Sequence, residues 1–211
     1  MNLLANLLKN YKIILASQSP RRMNLLKSLG LDFEIIPANI DESSLKETEP
    51  SAYCKKLSLD KAQFVSKITN SETTNSKIIK MQQNTLIIAA DTIVVLNDEI
   101  INKPVSEEDA FIILKKLSGN SRFVYTGVTV LNSATSKAIT NYSLTRVYFR
   151  ELSDSDILDY ISSGSPMDKA GAYGIQDDYG ALFVKRIEGC YNNVIGLPLE
   201  LMFRILLEAI N

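Results

Sequence analysis

The sequence predicts an α/β protein, and three features predict it. Residues 11–16 (YKIILA) and 85–95 (TLIIAADTIVV) are short apolar runs with the Ile, Val and Leu content of buried strands. Segments 21–30 and 51–67 carry apolar residues at helical spacing. With 211 residues and 45% hydrophobic content, the chain can bury the core of one domain, or of two tightly joined lobes.

The leading segment 1–10 (MNLLANLLKN) lacks the basic start and small-residue cleavage site of a signal peptide and reads as a short amphipathic helix. After the strand at 11–16, Ser19 is placed to cap a helix and Pro20 fits its first position; that helix stops at Gly30. The turn 15–22 (LASQSPRR) therefore joins a strand to a helix N-terminus. Backbone N–H groups, the Ser17 and Ser19 hydroxyls and the forked donors of Arg21 and Arg22 suit an anion there. An ordinary capped helix with two solvated arginines is the plainer alternative.

Residues 33–37 (FEIIP) predict a second short strand, running into the adjacent carboxylates Asp41 and Glu42 on a loop. A helix at 51–67 follows, with Leu57, Ala62, Phe64 and Val65 apolar and Lys61 on its face. Residues 66–84 are polar, and either extend that helix or form a surface insertion. The run at 85–95 reads as a central strand interrupted by one acid, Asp91. An unpaired carboxylate in such a setting is costly, so Asp91 faces a site, a cation or water, or accepts backbone hydrogen bonds at a strand end. Asn97-Asp98 predicts a hairpin that pairs Leu96 with Glu99 and brings Thr92 opposite Lys103.

Ser106 opens a helix to Leu117 with capping-box character. Residues 122–131 and 138–150 predict a long antiparallel pair around a turn at 132–137. The run 153–156 (SDSD) superficially suggests metal binding, but reads as the cap of a helix at 154–161. Residues 164–180 contain four glycines with little to bury, which suggests close backbone approach to a ligand. A strand at 181–187, a loop at 189–196 and a C-terminal helix at 198–210 complete the chain.

The totals exclude several functions. A net charge of −1 provides no global basic field, arguing against a nucleic-acid partner. The apolar runs are too short to span a membrane, and two cysteines without metal-ligand spacing suit a reduced, cytoplasmic protein. There is no histidine. Ser-His-Asp and Cys-His machinery and every His-ligated metal site are thus excluded. A general base must be a carboxylate, lysine or tyrosine, and a metal would need oxygen ligands.

Four stretches together resemble the Maf-type nucleotide pyrophosphatase family, also described as septum formation inhibitor proteins. They are LASQSPRR at 15–22; ADTIV at 90–94 with Lys103-Pro104; LSG at 117–119 with TGV at 126–128; and DKAGAYGIQ at 168–176 with GCYNNVIGLPL at 189–199. The resemblance spans nearly all of residues 12–207 in the family's order. It implies a Maf/ITPase-like fold, a mixed elongated sheet flanked by helices with two lobes around a cleft, in a single domain with a polar insertion at 66–84. It also implies hydrolysis of a nucleoside triphosphate to the monophosphate and pyrophosphate, a divalent metal such as Mg²⁺ or Mn²⁺, and a homodimer.

By that resemblance Asp91 is the general base, and Arg21, Thr92 and Gln176 select the base as in members acting on dTTP and UTP. Ser17, Arg22, Lys61 and Lys103 fit as phosphate contacts, and Glu42 with Asp91 as metal ligands. Two positions depart from the pattern. Arg122 stands where most relatives have histidine, and Ser165 where they usually have the glutamate of GEP. The rival from another class is a nucleotide-sensing regulator of septum formation with little turnover; a sugar-phosphate phosphatase would instead release orthophosphate.

Overall fold

The structure, a computed structural model, describes residues 3–40, 49–70, 84–176 and 178–211. After a short helix α1 (Leu3–Leu8), strand β1 (Lys12–Leu15) buries Ile13, Ile14 and Leu15. Helix α2 (Pro20–Ser28) begins with proline, whose missing N–H costs nothing there, and the chain leaves it through Gly30 at φ 69°. Ser19 is the N-cap residue but its side chain makes no capping bond. Instead its backbone N–H donates to Ser17 Oγ at 3.2 Å, so an upstream hydroxyl closes the turn.

Strand β2 (Glu34–Ile35) is shorter than the five apolar-rich residues suggest, and pairs in parallel with β1. Helix α3 (Pro50–Asn70) runs past its predicted end and takes up the start of the polar segment. Residues 71–83, most of the expected insertion, lie outside the described residues. Strand β3 (Thr85–Leu96) is parallel to β1 in the register Lys12↔Thr85 to Leu15↔Ile88. It is buried at almost every position, as an internal strand covered on both faces must be.

Asn97 and Asp98, both at positive φ, turn β3 into β4 (Glu99–Ile101) with the expected Leu96↔Glu99 pair. The ladder stops at Val94↔Ile101, so the expected pairing of Thr92 with Lys103 is not made. The Asn102 carbonyl accepts from Gly171 N–H at 3.3 Å, drawing the chain out of the strand one residue before Lys103. Helix α4 (Glu107–Leu117) has Ser106 accepting from Asp109 N–H, and strands β5 (Ser121–Asn132) and β6 (Lys137–Phe149) follow as neighbours. Helix α5 (Asp154–Ser162) carries a complete Ser153–Asp156 capping box, confirming the cap reading of 153–156.

Two expectations near the C-terminus need correction. The glycine-containing segment was expected to bury little, yet Ala172, Tyr173 and Ile175 lie in the core around two 3₁₀ turns (Ser165–Asp168 and Ala170–Ala172). Gly171 serves packing: it sits at φ 74°, and a Cβ there would approach Val94 to 3.2 Å. A short helix α6 (Asp178–Ala181) then precedes strand β7 (Val184–Glu188). The stretch read as a loop at 189–196 contains helix α7 (Tyr191–Ile195), and α8 (Leu199–Ile210) ends the chain.

The strands form one seven-stranded mixed sheet in the order β2-β1-β3-β5-β6-β7, with β4 on β3. The residues group into two compact units. The first comprises Met1–Asp91, Gly127–Tyr142 and Gly196–Asn211; the second comprises Thr92–Thr126 and Ser143–Ile195. In the first, strand alternation splits β3 between two clusters. Leu86, Ile88 and Ala90 pack with Leu201, Met202 and Ile205 of α8, whereas Ile87 and Ala89 pack with Ala62 and Val65 of α3. In the second unit, Leu114 and Leu117 of α4 and Ile157, Tyr160 and Ile161 of α5 pack with Phe149, Tyr173 and Phe183.

Arg122 lies inside that second core, 1% exposed, with its guanidinium carbon 3.3 Å from the Phe149 ring centroid and 4.3 Å from that of Tyr173. None of its three nitrogens has a hydrogen-bond partner among the described residues. Burial pushes the guanidinium below its ordinary range, with Tyr173 acting the other way. Cation–π contact offsets part of the desolvation cost, by about 2 kcal/mol for a desolvated pair. An apolar side chain of similar length removes the whole cost. Arg122→Met should therefore leave the thermal midpoint unchanged or raise it; a midpoint at least 8 °C lower by calorimetry would show that the ring contacts dominate.

Candidate active site

The inner face of α3 organises the catalytic candidates of the first unit. Cys54, Ser58, Lys61, Ala62 and Val65 recur at helical spacing, and each is buried or nearly so. Ser58 Oγ meets Thr129 Oγ1 at 2.9 Å. At Cys54 the helix touches backbone, because β5 presents Gly127: a Cβ there would lie 2.1 Å from the Cys54 carbonyl oxygen. Two turns further on, Lys61 Nζ reaches Asp91 Oδ1 at 2.5 Å.

Both side chains of that pair are about one-tenth exposed, 12% for Lys61 and 10% for Asp91. The carboxylate therefore has its counter-ion, and the cost of an isolated buried charge is avoided. Asp91 continues the odd-numbered series of β3, so strand alternation delivers it to the α3 face where Lys61 waits. The same carboxylate influences Cys54. Burial first, and the Asp91 charge second, push the thiol up to about 12.

The turn after β1 is built as an oxygen-and-guanidinium nest. Ser17 is buried; its hydroxyl accepts from Ser19 N–H at 3.2 Å and from Arg22 Nη1 at 3.3 Å. Arg22 Nε donates to the Gly196 carbonyl at 2.8 Å, which ties the start of α2 to the segment before α8. Two of the five donors of Arg22 thus hold the turn itself, a structural duty beyond the expected phosphate contact. Arg21, beside it, is half-buried in the first turn of α2.

In the second unit, Thr92 is half-buried and its hydroxyl lies 2.9 Å from that of Thr126. Thr126 in turn donates to the Asn193 carbonyl at 3.1 Å. Lys103 and Gln176 are both exposed, and Gln176 follows directly on the buried run 173–175. Lys169, which the sequence left without a role, is 8% exposed and donates to the Ser165 carbonyl, to Ser165 Oγ at 3.2 Å and to Asp168 at 2.7 Å. The Ser165 departure therefore touches a buried lysine.

A profile of the family described as Maf-like protein matches residues 12–209. The chain belongs to that family. Among its relatives is a protein named dTTP/UTP pyrophosphatase from Thermoanaerobacter sp. (strain X514), 45% identical over 195 residues, covering 92% of this chain and 95% of the relative. A protein of the same name from Clostridium perfringens (strain SM101 / Type A) is 44% identical over 196 residues, with 92% and 95% covered. Another, from Caldicellulosiruptor bescii, is 44% identical over 188 residues, with 89% of each chain covered.

Of the candidate site residues, the structure joins Lys61 to Asp91 and Ser17 to Arg22 by direct bonds. Thr92 is tied to Thr126, a motif residue to which the sequence gave no role. Glu42 lies outside the described residues. Gly127 was legible as part of TGV, but its reason, contact with the Cys54 carbonyl, was not. No group of three or more Cys, Asp or Glu among the described residues is placed to hold a metal ion. No helix among them is long and apolar enough to cross a membrane.

Gly127→Ala forces helix and strand apart at a backbone contact, so stability should fall by about 1–3 kcal/mol, with turnover lost through the displaced Lys61; unchanged denaturant midpoint and turnover would contradict the close-approach argument. Cys54, with its thiol raised from an ordinary 9.0 to about 12, should resist thiol reagents until the protein unfolds. The sign of the linkage is fixed too: its stabilising contribution is full below the unfolded value and is lost as pH rises from about 9 towards 12.

Proposed function

We propose that the protein hydrolyses dTTP and UTP to the nucleoside monophosphate and pyrophosphate, with Asp91 as general base. The observation that carries the reading is the buried Asp91–Lys61 pair, with Asp91 in the ADTIV stretch inside the matched range 12–209. The names of the relatives support the substrate class.

Attack on the α-phosphorus requires a positioned water and a group to take its proton. In a chain without histidine a carboxylate fills that part, and Lys61 holds this carboxylate at one oxygen. The triphosphate, whose charge grows on the leaving pyrophosphate, calls for cations and N–H donors. Ser17, Arg22 and the N-terminus of α2 are the proposed cradle, with Lys61 and Lys103 as further cations. Arg21, Thr92 and Gln176 are proposed to read the base.

A divalent cation fits this donor set, because Mg²⁺ commonly uses one or two carboxylates together with substrate phosphate oxygens. Asp91 is the described candidate, and Glu42 the second; such an ion would neutralise phosphate charge. The proposed working form is a cytoplasmic homodimer of one Maf-like domain per chain, the form the family resemblance implies, and light scattering reads its mass.

A nucleotide panel with Mg²⁺ or Mn²⁺, assayed separately for pyrophosphate and orthophosphate, tests the reading. Pyrophosphate from dTTP and UTP is expected. Orthophosphate release, or binding without turnover, would defeat it. Asp91→Asn should lower turnover by about 10²–10⁴-fold. It also leaves Lys61 without its counter-ion, so it should destabilise the fold. The double variant Lys61→Met/Asp91→Asn should recover stability but not turnover; recovered turnover would show that Asp91 is structural.

A further inference from the structure

We infer that Thr126 fixes the direction of the Thr92 hydroxyl proton and so makes Thr92 an obligate hydrogen-bond acceptor towards the nucleobase. The inference rests on the dTTP/UTP reading, in which Thr92 meets the base. Thr126 touches no substrate in that reading; it is a positioning residue.

Asn193 is fully buried, and its amide nitrogen donates to the Val124 carbonyl at 2.9 Å and to Thr145 Oγ1 at 3.0 Å. The Val124 carbonyl sets the amide's orientation, since the flipped side chain would place oxygen against oxygen. Thr145 is anchored as well, donating to the Cys190 carbonyl at 3.1 Å and accepting from Cys190 N–H at 3.0 Å. Asn193, within α7, is thus held by its own side chain and, through Thr145, by Cys190 just before the helix.

The Asn193 carbonyl oxygen accepts and cannot donate. Thr126, fully buried, has one hydroxyl proton and gives it to that carbonyl at 3.1 Å. The contact of Thr126 Oγ1 with Thr92 Oγ1 at 2.9 Å also needs one proton, and Thr126 has none left. Thr92 supplies it. Any further partner then meets Thr92 Oγ1 as an acceptor.

An obligate acceptor set against position 3 of a pyrimidine, as this inference has it, requires a ring N–H there. Uracil and thymine carry a proton at N3; cytosine, a ring of the same size, has a bare acceptor there and repels a second one. The relay Asn193 C=O ← Thr126 ← Thr92 therefore selects pyrimidine nucleotides with a protonated N3, and its failure affects UTP against CTP rather than triphosphate chemistry.

The test is kcat and KM for UTP and CTP in the wild type, Thr126→Val and Thr126→Ser, with thermal midpoints alongside. Thr126→Val keeps shape and removes the hydroxyl, so Thr92 can turn its proton either way. The wild-type preference for UTP over CTP should fall by about 10-fold, chiefly through a lower KM for CTP, with kcat on UTP within about 3-fold. Thr126→Ser should restore the preference. If Thr126→Val does not fold, Thr126→Cys, similar in size and a poor hydrogen bonder, replaces it with the same expectation. An unchanged UTP:CTP ratio in the hydroxyl-less variant of a UTP-selective enzyme overturns the relay alone. An equal loss on both substrates, tracking the midpoint, also overturns it and makes Thr126 structural. A wild type indifferent to UTP and CTP overturns the dTTP/UTP reading and the relay with it.

Discussion

The distance between α3 and β5 at Cys54 and Gly127 is the constraint on which the first unit's chemistry depends. A helix normally rests on a sheet through side chains on both sides. Here one side contributes none, and the Cys54 carbonyl occupies the space that any Cβ at Gly127 would need. The helix axis is drawn in at that point, and everything downstream on the same face inherits the approach. Ser58 reaches the Thr129 hydroxyl, and Lys61, one further turn along, reaches Asp91. A lysine has length to spare, but a short hydroxyl does not; the Ser58–Thr129 bond shows how close the layers are.

That approach also decides the electrostatics. An acid on a strand buried on both faces is unfavourable unless charge of the opposite sign arrives with it. The sequence placed Asp91 in such a strand and Lys61 on a helix, thirty residues apart in the chain, and the fold makes them partners. Arg122 is the contrast. It too is buried, but what it meets are ring faces, and among the described residues no carboxylate or carbonyl receives its donors. The first unit neutralises its buried charge with an ion; the second tolerates one against quadrupoles.

Much of this was legible in the sequence. Strands β1 and β3, helices α2, α4, α5 and α8, the Asn97-Asp98 turn and the Leu96–Glu99 register follow from apolar period, caps and turn chemistry, all of which are local. The misreadings share a cause that is not local. The glycines and polar groups of 164–180 suggest a segment with little to bury, but Gly171 is needed for its left-handed φ and its closeness to Val94, and the residues around it are core. The Thr92–Lys103 pair failed because a distant N–H, that of Gly171, claims the Asn102 carbonyl. Asp91, Lys61 and Thr92 could be singled out; that Thr126 and Asn193 stand behind Thr92 required a hydrogen-bond map.

The polar groups proposed to read the base share a weakness that the second unit answers. A glutamine amide can flip and a threonine hydroxyl can rotate, so each can offer either sense of hydrogen bond. Groups that adapt to whatever they meet do not discriminate. Selectivity needs at least one participant that cannot invert, and a backbone carbonyl is such a group. Asn193 provides it from a fully buried position, and two hydroxyls in series carry its polarity to Thr92 without dilution, because each has a single proton to pass. An acceptor-locked Thr92 presents one sense of hydrogen bond in a fixed place, where the base must bring a donor. Uracil and thymine, with N–H set between carbonyls, match that arrangement, and cytosine does not.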